Sequence, residues 1–542
     1  MTKKFFGIAM LLPGIMAAVS CTDDKYDLDN IDTTTAIKVK DLVVPVNLET
    51  VTLDQVFDID DDPDNIIIKY MNSEGKTVFA ISKSGEFRSD DVFINEIVAT
   101  DALVEPLSIT LGGNGNGSFE INEALTSYYY HISDVDNTVA SVSTLIMSEP
   151  MQISLSVSPA GGNVALENVV LSIPEGFEAT YNGQEVTNGE VKVGSLSNGM
   201  LESPIYVTAI NLGYNDPADG ELSFDGPIGI KSATVTGNAS SLEIQFSMSG
   251  FVVNEISGSI DYPVEAPSFE PVSLEDLPEF LKDGESNLIL ANPQIYMSFH
   301  NPVDAQIYSS LSILSERFEN PSTEITGDLY PFHSNIILAA DVNDLALESD
   351  YQGSVKQEMP QLQNILAGVG LPSYINFMLD DARLAGEIYN LKLGQGMAFY
   401  GNYSFFTPLS LEAGSMIYYT QTETDFFGDD VKDVNISKFQ LTTYPTTNIP
   451  YDLELRISPL DKNGNVIKNS KGENIVARGF IDANANGTKA LDLDINDAFN
   501  GLDGVTFSVV SNAQSNESLS PEQYIKLDNI RVKISGEYVT DF

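Results

Sequence analysis

The chain has 542 residues, 42% hydrophobic and 9% aromatic, with 78 acidic residues against 27 basic ones and a formal net charge of −51. That much apolar side chain can build cores, so the charge does not mean disorder; a surface this acidic excludes nucleic acid as a partner, since binding a phosphate backbone requires lysine and arginine to displace counterions. The length exceeds what one core serves and predicts about three to five domains.

The chain opens with Lys3 and Lys4, an apolar run from Phe5 to Val19, then Ser20 and Cys21, the one cysteine in the sequence. A run of this length falls short of the roughly 20 residues a membrane-spanning helix needs and suits a signal-peptide core. The small residues Ala18-Val19-Ser20 ahead of Cys21 resemble a lipobox, in which the cysteine thiol receives diacylglycerol. The resemblance implies a signal peptide over residues 1–20, cleavage before Cys21, and a membrane partner held through acyl chains such as palmitate on that residue. A single cysteine also leaves no disulfide within the chain. Without Lys3 and Lys4 the mature net charge becomes −53.

Residues 21–36 read as an acidic tether. Within it Thr22-Asp23-Asp24-Lys25-Tyr26-Asp27 resembles the export signal of surface-exposed lipoproteins in the Bacteroidota, with Asp23 and Asp24 as its acidic pair. This implies an outer-membrane protein facing the cell exterior; the plainer reading is a solvated spacer. Asp32-Thr33-Thr34 resembles the O-glycosylation acceptor of that phylum, with Thr33 as the modified residue.

A first β domain is expected over 37–125. Its acidic run DIDDDPDN, Asp58 to Asn65, offers hard oxygen ligands to calcium without a closing ligand set. GGNGNG, Gly112 to Gly117, lacks the Lys-Ser/Thr and helix of a phosphate loop and reads as a flexible hairpin loop.

The second domain, 126–267, opens with Tyr128-Tyr129-Tyr130, whose neighbours should point to opposite faces of a strand, one into a core and one outward. Alternation with period two marks strands at MQISLSV from Met151 and LEIQFSM from Leu242, and Asn182-Gly183 predicts a tight hairpin turn.

In the third, 268–395, helical patterns appear at SLEDLPEFLKDG, with Ser273 as cap and Asp276 completing a capping pair, and at PQLQNILAGVG, where Pro360 suits a first turn. The segment Pro293 to Pro302 is strand-like, with its apolar residues in the opposite register to the repeats below.

The fourth, 396–542, carries the aromatic segment Phe399 to Phe406, the pair Tyr418-Tyr419, and alternating strands at YDLELRI from Tyr451 and IRVKI from Ile530, with a turn at Asn463-Gly464. Asp482-x-Asn484-x-Asn486-Gly487 resembles the first half of an EF-hand loop, but the twelfth position, which should supply a bidentate glutamate, is Leu493. A hairpin turn is the expected reading and no metal is assigned; a nonstandard calcium site in either acidic run stays an open alternative.

Two internal likenesses suggest repeated modules. Pro150 and Pro450 each begin an alternating run ending in Ser-Pro, at Ser158-Pro159 and Ser458-Pro459, and LENVVLSI from Leu166 matches LDNIRVKI from Leu527. Proline brackets fit strands at a sheet edge, because proline cannot donate to a ladder. The fold class is therefore mainly β: tandem antiparallel sandwiches that resemble immunoglobulin modules, with a few short connector helices.

No catalytic constellation stands out. His131, His300 and His333 are far apart and lack the HExxH, Cys-x-x-Cys and GxSxG contexts of zinc and serine enzymes. The abundance of acids makes a carboxylate pair unspecific. The expectation is no enzyme, no cofactor, and a lipid-anchored surface protein acting in adhesion, assembly or contact with a protein or glycan partner. A glycan-binding accessory to a nutrient importer is the alternative, weakened by the absence of tryptophan. A fimbrial subunit is a third reading, although no arginine for a maturation cut lies between Cys21 and Arg88.

Overall fold

A computed structural model describes residues 34–541 apart from 47–49, 58, 60–64, 113–116, 197, 218, 266, 283, 318–321, 348–350, 428 and 515. Cys21, Asp23, Asp24 and Thr33 lie outside the described residues, as does most of the first acidic run. The expected mainly β architecture holds, with 62% strand and 4% helix. Alternation sets the faces: in Ser241–Met248 every second residue, Leu242, Ile244, Phe246 and Met248, is buried and the intervening ones reach solvent. Among the described residues pairing is antiparallel, except that Asn335–Ala339 runs parallel to Val355–Glu358.

The first sandwich faces one sheet, ordered Glu190–Ser195, Val164–Ser172, Leu222–Gly237, Gly117–Ile132 and Leu103–Val104, against a second. In that second sheet Phe177–Tyr181, Ile205–Asn215, Val139–Ala160, Ser241–Met248 and Leu107–Thr110 pair in turn. Tyr130 bridges the layers, its hydroxyl donating to the Ser249 carbonyl at 2.8 Å and its ring 5.2 Å from that of Phe251. Phe251–Pro263 pairs with Val139–Ala160 on one side and with Tyr374–Lys392 on the other, so the sheet runs on into a second sandwich. There Tyr374–Lys392 and Gln306–Glu316 lie opposite a ladder of Ile67–Met71, Thr77–Arg88, Tyr400–Pro408, Gln294–His300 and Asn335–Ala339.

In the third sandwich Thr34–Val46, Tyr524–Asp541, Val434–Thr447 and Leu491–Ile495 make one sheet. The other comprises Met416–Glu423, Gly504–Asn512, Leu453–Leu460 and Ala477–Ile481. A core of its own, with Phe439, Leu441, Leu455, Phe507, Val532 and Ile534, lies between them.

Several expectations shift. The boundary drawn between 125 and 126 falls inside the continuous strand Gly117–Ile132, and residues 80–88 pair with 400–408, so the sandwiches draw on distant segments. Most of the glycine-rich run, 113–116, lies outside the described residues; the strands on either side of it pair elsewhere and not with each other, Leu107–Thr110 with Ser241–Met248 and Gly117–Ile132 with Leu222–Gly237.

Ser273 accepts from the Glu275 amide at 3.4 Å, but the helix starts later, at Glu279–Lys282, so no capping pair with Asp276 forms there. A reciprocal cap occurs instead at Thr52 and Gln55: Thr52 Oγ1 accepts from the Gln55 amide at 3.2 Å, and Gln55 Oε1 from the Thr52 amide at 3.0 Å. It opens the short helix Leu53–Phe57. Pro360 does start a helical turn.

The proline-bracketed strands are not edges. Leu453–Leu460 has a neighbour on each side, and Pro459 lies past the end of the ladder with Ala477–Ile481, where no N–H is needed. Gln294–His300 is also central and buries both faces, which explains its unlike register.

Candidate functional site

The aromatic segments divide. Tyr128 and Tyr130 enter the core of the first sandwich while Tyr129, 42% exposed, turns outward, as alternation predicts. Burial pushes the Tyr128 hydroxyl up to about 12, with the nearby Asp225 carboxylate adding to it, and raises Tyr130 further. Phe399 to Phe406 does not divide in this way, because Tyr403, Phe405 and Phe406 are all buried although they point both ways. Their strand is central, paired on both sides, and buries both faces. In both segments a buried tyrosine lies over a glycine of the adjacent strand, Tyr128 over Gly226 and Tyr403 over Gly85. A Cβ on Gly85 would meet the Tyr403 ring at 2.5 Å. These tyrosines pack the core and do not form a platform.

The histidines stay apart. His131 shares Ser223 with Tyr129, each at 3.1 Å from its hydroxyl oxygen. His300 stacks on Tyr400 at 4.6 Å, and His333 pairs with Asp304. Among the described residues no group of three His, Cys, Asp or Glu side chains is placed to hold a metal ion.

The EF-hand-like run is a loop zipped onto its neighbour. The Asn484 amide donates to the Ile449 carbonyl at 2.9 Å and that of Gly487 to the Pro445 carbonyl at 3.0 Å. The Lys489 ammonium lies 2.7 Å from Asp482, and Asn486 Oδ1 accepts from the Thr488 hydroxyl at 2.6 Å. Two of the expected ligand groups thus already serve the loop itself, as a turn requires.

The first described strand borders a hollow where positive charge gathers. Thr34 pairs with Asp541 and Val46 with Ile530, so the first described strand lies along the last through antiparallel pairing, with one irregularity between Val39 and Leu42. Lys38 sits opposite Glu537, which sits opposite Asn435 on the next strand. With Lys40, Lys468 and Asn500 these residues border an open trough of about 770 Å³. Three lysines gathered at one hollow concentrate scarce positive charge in a chain where acids outnumber bases almost threefold. Sequence reasoning missed this trough because Lys468 comes from a loop more than 400 residues away from Lys38 and Lys40.

No family model and no curated protein matches the chain. Among solved structures, a presumed secreted protein of Parabacteroides distasonis ATCC 8503 is 16% identical, matching 52% of this chain and 90% of its own at a TM-score of 0.35. The infectious bursal disease virus VP2 subviral particle is 10% identical, matching 86% of this chain and 82% of its own at 0.12. Both scores are low, and neither likeness bears on function. No helix among the described residues is long and apolar enough to cross a membrane.

Proposed function

We propose that the chain is a non-catalytic lipoprotein of the bacterial outer membrane, anchored by acyl chains on Cys21 and facing outward. Its β-sandwiches would be displayed there for adhesion, assembly or contact. The observation that carries this reading is the pairing of Thr34–Val46 along Tyr524–Asp541, which ties the tether into a sheet through a whole strand instead of a loose end. A pull on Cys21 along that strand is then shared among many backbone hydrogen bonds. Lys38 and Lys40 support the reading too, since they put positive charge on the tether-bearing strand, where an anionic membrane surface or acidic partner would come close.

Replacing Cys21 by Ala tests the anchor. The variant is expected to leave the membrane fraction, lose radiolabelled palmitate, and keep its thermal unfolding unchanged. Unlabelled wild-type protein, or a variant that stays with membranes after a carbonate wash, would overturn the proposal.

A further inference from the structure

The third sandwich is not filled between its sheets. A deep cavity of about 80 Å³ is bounded by Leu53, Phe280, Tyr419, Leu453, Val509 and Ser511. A wider one of about 450 Å³ shares Val51, Val56, Tyr419, Val509 and Ile525 with it and opens past Gln55 and Gln421. The wider hollow is of the size small-molecule sites usually have.

Two features distinguish this cleft from a packing fault. Ser511 is only 8% exposed, and its hydroxyl oxygen, enclosed by neighbouring atoms, has no hydrogen-bond partner. It lies opposite Ile417 and Leu453 on the neighbouring strands, facing the interlayer space with Val509 two residues before it. Leaving such a group unsatisfied costs about 1–3 kcal/mol, which a ligand's hydroxyl would recover. The second feature is charge: no described residue lining either cavity is charged. A carboxylate would enter an apolar slot without a cation, inside a protein of net charge −51, and an ammonium would enter without an anion.

We propose that this cleft binds a linear, uncharged amphiphile, hydroxyl end inward at Ser511, whose side chain turns about χ1 to present Oγ to the cavity, with its alkyl chain running past Val509 and Tyr419 towards Gln55 and Gln421. Ser511 Oγ and the ligand hydroxyl satisfy each other, and the aliphatic lining takes the chain out of water. Entry is by the rim that holds the helix Leu53–Phe57, whose Val56 lines both hollows.

The test uses the Cys21→Ala chain, which has no acyl groups of its own, titrated calorimetrically with 1-decanol and with decanoate. One molecule of 1-decanol per chain is expected, with decanoate at least tenfold weaker. Ser511→Ala should weaken 1-decanol about fivefold, Ser511→Thr should restore it, and Val509→Phe should abolish it while the circular-dichroism spectrum stays unchanged. Tyrosine fluorescence should respond as well, since Tyr419 and Tyr451 line the deep cavity and the chain has no tryptophan. The proposal is overturned if 1-decanol does not saturate, if decanoate binds as well, or if Ser511→Ala binds like the parent.

Discussion

Asn168 and Asn529 occupy the same place in the two matching segments LENVVLSI and LDNIRVKI, and both have a left-handed backbone, with φ of 52°. Each marks a bulge: register slips between Glu167 and Val170 in one strand, and the partner of the other skips between Thr442 and Tyr444. An extra residue in one strand must turn out of the pleat, and asparagine tolerates that conformation far better than branched or larger residues. The likeness therefore has a local cause, since both strands need a residue that can adopt positive φ where the sheet bends. Asn168→Ala and Asn529→Ala should each cost about 1–2 kcal/mol, read as a lower urea midpoint, while the glycine variants should lose much less. Equal losses for alanine and glycine would show that the side chain, not the backbone, does the work. At this scale the sequence was only partly legible: the resemblance could be seen, but its meaning lay in backbone angles that no residue pattern states.

Strands were legible where one face is wet. Ser241–Met248 and Leu453–Leu460 alternate because solvent and core lie on opposite sides. Gln294–His300 and Tyr400–Pro408 lose that signature, since layers cover both their faces. Helices were harder, because each is only a turn or two held by its surroundings, and the cap at Thr52 and Gln55 leaves a weaker mark in the sequence than Ser273. Pairings between strands were not legible at all, and they create contacts such as Arg456 directly opposite Arg478 on adjoining strands. Like charges so placed repel. Glu454 resolves this by accepting from Arg456 at 3.1 and 2.9 Å and lying 3.8 Å from Arg478. The hydrogen bonds from Arg456 hold its carboxyl below the usual range. A carboxyl depressed on folding stabilises the protein above its unfolded pKa of about 4.3, and that contribution disappears as pH falls through the lower folded value. Glu454→Gln should thus cost about 1–3 kcal/mol at pH 7 and progressively less as the medium is acidified below pH 4. Thermal melts of both proteins at pH 7 and pH 3 read the difference, and a gap that stays constant would refute the role given to the ionised carboxylate.

At the scale of the whole molecule the chain closes on itself, its first described strand beside its last. Alternation and length announced a β protein of several domains, but not that residues 34–46 and 51–52 would join a sheet with the C-terminal strand. A pairing across nearly 500 residues leaves no mark on local periodicity. It has a mechanical consequence, because Thr34–Val46 covers what would otherwise be the free edge of the long strand Tyr524–Asp541. A long uncovered edge displays unpaired N–H and C=O groups and invites pairing with another copy. Deleting residues 34–46 while keeping the tether removes that cover and its hydrogen bonds, each worth about 0.5–1.5 kcal/mol net. The expected result is a melting transition of the third sandwich at least about 5 °C lower, together with self-association that grows with protein concentration. Calorimetry reads the first and light scattering the second. The lysine trough would disappear with Lys38 and Lys40, so any salt-dependent attachment to anionic vesicles should fall in the same variant. A deletion that melts as before and scatters light like the parent would mean that the strand adds nothing to the fold and covers no edge that matters.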